Sequence, residues 1–178
     1  YPLMIPIAKP YLTEKEAQAA YDTILTGWIT QGPRVAEFEE HFAAYTGARY
    51  AVAVSNCTTA LHLSMIMAGV GAGDEVICPS MSYIATANCI KYVGAKPVFA
   101  EVNPETYNLD ITDAEQKITS KTKAILLVHQ IGMPADIDAF QLLAAKYNLK
   151  LIEDAACAAG SSYKGKKIGS HSELVCFS

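Results

Sequence analysis

Lys123–Ala155 reads KAILLVHQIGMPADIDAFQLLAAKYNLKLIEDA, and this stretch decides the fold. KAILLVH, Lys123 to His129, reads as a nearly unbroken apolar strand. DIDAFQLLAAKYN, Asp136 to Asn148, reads as a helix, and KLIEDA, Lys150 to Ala155, as a second strand. Strands alternating with helices imply a mostly parallel sheet. Strands that are apolar along their length imply that both faces of the sheet are covered. The same alternation recurs upstream. YAVAV (Tyr50–Val54), EVICP (Glu75–Pro79) and PVFAEV (Pro97–Val102) read as strands. TTALHLSMIMAG, YIATANCIKYVG and ITDAEQKI read as helices between them. Downstream, YKGKKIG is a turn or hairpin and ELVCFS a further strand. The predicted fold is α/β, a mostly parallel sheet with helices on both faces.

The chain before Tyr50 is predicted to be helical. Thr13-Glu14-Lys15-Glu16 is a capping box, so a helix starts there, runs to about Thr26 and stops at Gly27. GWITQGP, Gly27 to Pro33, is a loop, and Pro33 suits the first turn of the next helix. Val35, Phe38, Phe42 and Tyr45 recur at three- and four-residue steps, which predicts one buried face, and Gly47 ends the helix.

Composition narrows the function. The chain has 178 residues, 51% hydrophobic and 18% charged, with a net charge of −4. That is enough for one domain with a sizeable core. No basic stripe points to nucleic acid. No apolar run approaches the ~20 residues of a membrane span. The opening YPLMIPIAKP lacks the pattern of a secretory leader. The five cysteines, Cys57, Cys78, Cys89, Cys157 and Cys176, form no CxxC pair. They are expected as small buried hydrophobes in a reducing cytoplasm. His41, His62, His129 and His171 have no metal-ligand spacing, so no metal is expected. The sequence stops at Ser178 inside an apolar strand, so the chain is expected to be the front part of a longer protein.

In parallel α/β sheets ligands bind beyond the carboxyl ends of the strands. Three segments carry polar residues there. After Val54, VSNCTTALH offers Ser55 or Asn56 as a cap. The N–H groups of Cys57 to Thr59 could hold an anion, or the segment is an ordinary helix start. GVGAGDE nearby follows a helix and precedes a strand, so it reads as a turn rather than a phosphate loop. After Pro79, Tyr83 could stack on a flat ring or be a core aromatic. After Ile152, Glu153 and Asp154 meet the small residues AACAAG. Adjacent strand residues point to opposite faces, so only one of the two acids can face a site. A carboxylate there needs a partner. An anion site, a stacking ring and a buried acid together fit pyridoxal phosphate, whose ring nitrogen stays protonated against a carboxylate.

The residues also resemble a known family. IPIAKPYLTEKE (Ile5–Glu16), GWITQGPRVAEFEE (Gly27–Glu40), AVAVSNCTTALHL, GDEVICPSMSYIATAN, GAKPVFAEVNPETYNLD, TKAILLVHQIGMPADIDA, LIEDAACAAGSSYKGKKIGS and CFS resemble the DegT/StrS-type nucleotide-sugar aminotransferases. These are fold-type-I pyridoxal phosphate enzymes, and the matches run nearly from end to end. The resemblance implies an aspartate-aminotransferase-like large domain, of which residues 1–178 would be the N-terminal part. It implies Cys57 and Thr58 at the phosphate, Tyr83 on the ring, Asp154 on the ring nitrogen, Cys157 near the phenolic oxygen and Ser178 at the phosphate. It makes Trp28 and Thr30 substrate-side candidates. This sequence has Cys57 where the family has Gly or Ala, Cys157 where it has Gln or His, and Ala159 where a larger residue is usual.

The resemblance implies a homodimer. Its reaction would transfer an amino group from an amino acid, glutamate being the expected donor, to a keto sugar on a nucleotide. The family's Schiff-base lysine lies about five residues past the serine matched by Ser178. It is therefore not among these residues, and Lys164, Lys166 and Lys167 read as a solvated turn. Two alternatives remain open: a sugar dehydratase with His in place of that lysine, and a non-catalytic truncated relative.

Overall fold

Five of the strands assemble into one sheet, and their order explains how the site is built. The computed structural model describes residues 9–178. The first eight residues, which carry most of the opening YPLMIPIAKP and the front of the Ile5–Glu16 motif, lie outside the described residues. Two helices come first, α1 (Glu14–Leu25) and α2 (Pro33–Thr46). Then follow α3 (Cys57–Met67), β1 (Glu75–Pro79), α4 (Ile84–Tyr92), β2 (Lys96–Ala100), α5 (Ile111–Gln116) and β3 (Thr122–Val128). The chain continues with α6 (Ile137–Tyr147), β4 (Lys150–Ala155), a short hairpin β5 (Ser162–Tyr163) and β6 (Lys166–Lys167), and β7 (Leu174–Phe177). The sheet order is β2-β1-β3-β4-β7, and every neighbouring pair is parallel.

The pleat divides the apolar strand residues between two cores. Val76, Cys78, Ala124, Leu126 and Ile152 face α3 and α4, packing with Leu61, Met65, Cys89 and Ile90. Ile77, Ile125 and Leu127 face the other way, packing with Ala114 of α5 and with Phe140 and Leu143 of α6. Both faces are therefore covered, as the apolar strands predict.

Local signals hold in detail. The Thr13 side chain and the Glu16 carboxylate form the capping box, and Gly27 (φ 73°) follows α1 in the left-handed region. Gly47 closes α2 at φ 75°. The glycines of GVGAGDE form a turn, and YKGKKIG is the β5–β6 hairpin.

Three expectations are corrected. Tyr50–Val54 forms no strand: no described segment pairs with it, and the Ala53 N–H donates instead to Glu39 Oε1 at 2.8 Å. An isolated extended segment has nowhere to send its ladder bonds, whatever its propensity. The apolar face of α2 is only part-covered, with Phe38 and Tyr45 about half exposed. Phe42 does pack edge-on against Phe177 at 5.1 Å. Cys157 is exposed, while the other four cysteines are buried.

Candidate active site

The carboxyl ends of β1, β3, β4 and β7 lie on one edge of the sheet because all the pairings are parallel. Asp154 sits near the end of β4, on the same pleat face as Ile152 and therefore toward α3 and α4. It is 5% exposed. Thr86, in the first turn of α4, donates its hydroxyl to Asp154 Oδ2 at 2.9 Å, and the Ala156 N–H donates to Oδ1 at 3.2 Å. Burial raises the Asp154 carboxyl above the usual carboxylate range, while the Thr86 and Ala156 hydrogen bonds pull it back down. Thr86 in turn shares a 2.6 Å hydrogen bond with Ser82.

Glu153, one residue earlier, points to the opposite face, as strand geometry requires. It is fully buried and meets His129, whose Nε2 lies 2.8 Å from Oε2. The Ala135 N–H donates to His129 Nδ1 at 3.0 Å. Nδ1 is therefore an acceptor, the ring proton sits on Nε2, and Nε2–H donates to Glu153. Glu153 Oε1 has no hydrogen-bond partner among the described residues. The His129 N–H also donates to the Asp154 carbonyl at 3.0 Å, tying the ends of β3 and β4 together. One acid thus faces the site and its neighbour braces the strand behind it.

Helix α3 opens beside this acid. Asn56 is its cap, accepting from the Thr59 N–H at 2.9 Å. The first-turn N–H groups of Cys57 and Thr58 have no intrahelical acceptor, which suits an anion. Cys57 lies within electrostatic reach of the site. Burial, then the Asp154 charge, then Cys176 and Cys157 push its thiol up to about 12. A thiol so raised stays protonated and packs as a small hydrophobe.

Tyr83 caps the start of α4, one turn before Thr86, and is 75% exposed. It is therefore not a core aromatic, and its ring is free to cover a ligand. Cys157 is exposed in the turn after β4. Gly132 lies against that turn: a Cβ there would fall 2.9 Å from the Cys157 carbonyl. Ser178 follows β7, in which Cys176 pairs with Asp154 and Phe177 with Ala155, so it leaves the sheet at the same edge.

Trp28 and Thr30 stand apart in the exposed loop between α1 and α2. The Trp28 indole N–H donates to the Gln31 carbonyl at 3.0 Å. Among the described residues neither side chain makes a hydrogen bond to the Asp154 cluster. Lys164 ion-pairs with Asp138, and Lys167 sits over the Tyr45 ring. These surface engagements agree with a solvated turn. No group of three or more His, Cys, Asp or Glu among the described residues could hold a metal. No described helix is long and apolar enough to cross a membrane.

Sequence reading missed Thr86, Ser82 and the His129–Glu153 pair. A signal for the first was available. A buried carboxylate demands donors, and TAN one turn after Tyr83 supplies a hydroxyl.

A doubly covered parallel sheet with a buried acid and a helix start at its carboxyl edge defines a cofactor-binding α/β domain. The chain belongs to the DegT/DnrJ/EryC1/StrS aminotransferase family, which it matches over residues 10–178. It is 45% identical over 175 residues to the GDP-perosamine synthase of Escherichia coli O157:H7, covering 98% of this chain and 48% of that one. It is 43% identical over 165 residues to the UDP-4-amino-4-deoxy-L-arabinose–oxoglutarate aminotransferase of Shewanella sediminis, covering 93% of this chain and 42% of that one. A Streptococcus pneumoniae protein assigned as a sugar aminotransferase and solved in its PMP form superimposes with a TM-score of 0.95 at 35% identity, over 98% of this chain and 48% of that one. The chain thus spans about half the length of the curated relatives it matches.

Proposed function

We propose that the full-length protein is a pyridoxal-phosphate-dependent aminotransferase. It would move an amino group from an amino acid, glutamate as donor, to a keto sugar of a nucleotide-sugar. Residues 1–178 are then the N-terminal part of its cofactor-binding large domain. The observation that carries this reading is Asp154: a buried acid at the carboxyl end of β4, held by two donors beside the start of α3, whose Cys57 and Thr58 N–H groups have no intrahelical acceptor. The named relatives support amino transfer to a sugar, and the oxoglutarate enzyme supports glutamate as donor.

The residues present fit the cofactor. Asp154 would hold the proton on the ring nitrogen. The N–H groups and hydroxyl at Cys57 and Thr58, with Ser178, would take the phosphate. Tyr83 would cover one face of the ring and exclude water there, and Cys157 would lie near the phenolic oxygen. The bound cofactor supplies an electron sink for the amino acid's α-carbon. The lysine that carries it is expected beyond Ser178. Trp28 and Thr30 would lie on the substrate side. We assign the active form as a homodimer and, from the free cysteines, its compartment as the cytoplasm.

The test is to add pyridoxal phosphate to the full-length protein, reduce with borohydride and map the modified peptide. A lysine modified shortly after Ser178, together with conversion by glutamate to the amino form of the cofactor, supports the reading. A histidine at that position with no covalent fixation would move the assignment to sugar dehydration. No cofactor binding at all would leave a non-catalytic relative.

A further inference from the structure

Of the polar groups around Asp154, one pair is assigned no role by the reading above. Ser82 Oγ and Thr86 Oγ1 are 2.6 Å apart, and Thr86 Oγ1 is 2.9 Å from Asp154 Oδ2. A hydroxyl has one proton to give. The ionised Asp154 can only accept, so Thr86 must donate to it, and Ser82 must then donate to Thr86. The chain of hydroxyls has one direction, from exposed Ser82 through Thr86, which is 1% exposed, to the buried acid. Thr86 also lies on α4, whose cap is Tyr83. It is the hydrogen bond that joins the helix carrying the ring-covering tyrosine to the strand carrying the acid.

We propose that Thr86, oriented by Ser82, is a positioning residue for Asp154. It keeps the buried carboxyl ionised and aimed at the site, and it fixes the register between Asp154 and Tyr83. This rests on the cofactor reading for its purpose but not for its measurement. The titratable groups packed around Asp154 are Cys57 on α3, Cys89 on α4, Cys176 on β7 and His129 after β3. Burial pushes the first two thiols up to about 12 and Cys176 to about 11, so they stay neutral through the range of interest. His129 has its ring nitrogens committed to Ala135 and Glu153. Thr86 is the side chain that donates to the carboxylate.

The experiment compares wild type, Thr86→Val, Thr86→Ser and Ser82→Ala in the full-length protein. Carboxyl-carbon NMR reads the titration midpoint of Asp154 without cofactor, and fluorescence titration reads pyridoxal phosphate affinity. Thr86→Val keeps the shape and removes the donor, so the midpoint should rise by about 1–2 pH units. Affinity at neutral pH should fall about tenfold or more. Thr86→Ser should restore both, and Ser82→Ala should give a smaller shift of the same sign. An unmoved midpoint in Thr86→Val, or a shift that Thr86→Ser does not reverse, overturns the proposal. If wild type binds no pyridoxal phosphate, the cofactor reading fails while the midpoints still decide the role of Thr86. If Thr86→Val binds as wild type with an unmoved midpoint, the cofactor reading stands and this inference falls.

Discussion

The His129–Glu153 pair should show opposite behaviour when cut once and when removed whole. Both side chains are fully buried, and among the described residues Glu153 accepts a single side-chain hydrogen bond, from His129. His129→Leu leaves the acid with no donor, and breaking a buried pair from one side costs ~3–5 kcal/mol. It also strips the buried Ala135 N–H of its acceptor, which adds ~1–3 kcal/mol. The expected loss is therefore ~4–8 kcal/mol, comparable to the whole stability of many domains. Glu153→Leu leaves only an imidazole N–H unpaired and should cost ~1–3 kcal/mol. The double variant removes both polar partners and leaves the Ala135 N–H as the one orphan. It should be more stable than His129→Leu alone, with a coupling energy of at least ~2 kcal/mol. Urea unfolding of the four full-length proteins, followed by circular dichroism, measures the cycle. Additive single losses, with the double variant the least stable of the four, would refute the assignment of these residues as a buried hydrogen-bonded pair.

Three further outcomes follow from the geometry. Because burial raises the Asp154 carboxyl, the fold favours its neutral form. That contribution is complete below the ordinary value of ~3.9 and is lost as pH rises through the higher folded value. Ligand-free Asp154→Asn should lack this decline in denaturant titrations run from pH 4 upward, and should also lose cofactor binding. Gly169 has φ 112°, and a Cβ on it would lie 2.7 Å from Thr46 Cβ and 3.3 Å from the Phe177 ring. Gly169→Ala should cost roughly 3 kcal/mol in urea unfolding by adding backbone strain to overpacking. Among the five cysteines described here, brief alkylation at mild alkaline pH followed by peptide mass spectrometry should modify Cys157 and spare Cys57, Cys78, Cys89 and Cys176. Cys157 is exposed, whereas burial pushes the others up to about 11 or 12. Bound pyridoxal phosphate should slow modification of Cys157.

What the sequence makes legible is what neighbouring residues determine. The capping box at Thr13, the stops at Gly27 and Gly47 and the β5–β6 hairpin are local, and all appear. The sheet is legible because strand and helix alternate, and Asp154 because an acid interrupts an apolar strand among small residues. The failures share a different cause. Tyr50–Val54 has strand composition, but a strand exists only when another supplies its ladder, and no described segment does so. The apolar stripe of α2 has the right period, yet period says which face seeks cover and not what covers it. Thr86 is 68 residues from Asp154, and His129 is 24 from Glu153. Such pairs follow from how strand ends align across the sheet, which residue spacing does not encode.

The adjacency of Glu153 and Asp154 has a consequence for how β4 tolerates insertion and deletion. The two carboxyls differ by one position in the strand and by a whole face of the sheet. A single-residue deletion just before them would slip β4 by one step against β3. It would bring Asp154 to the His129 side and turn the following alanine toward α4. The composition of the strand would hardly change, yet both acids would leave their partners. Length variation in this family member should therefore collect in the α6–β4 connection and the hairpin, where a frame change is absorbed before the pleat begins, and avoid the six residues of β4 itself.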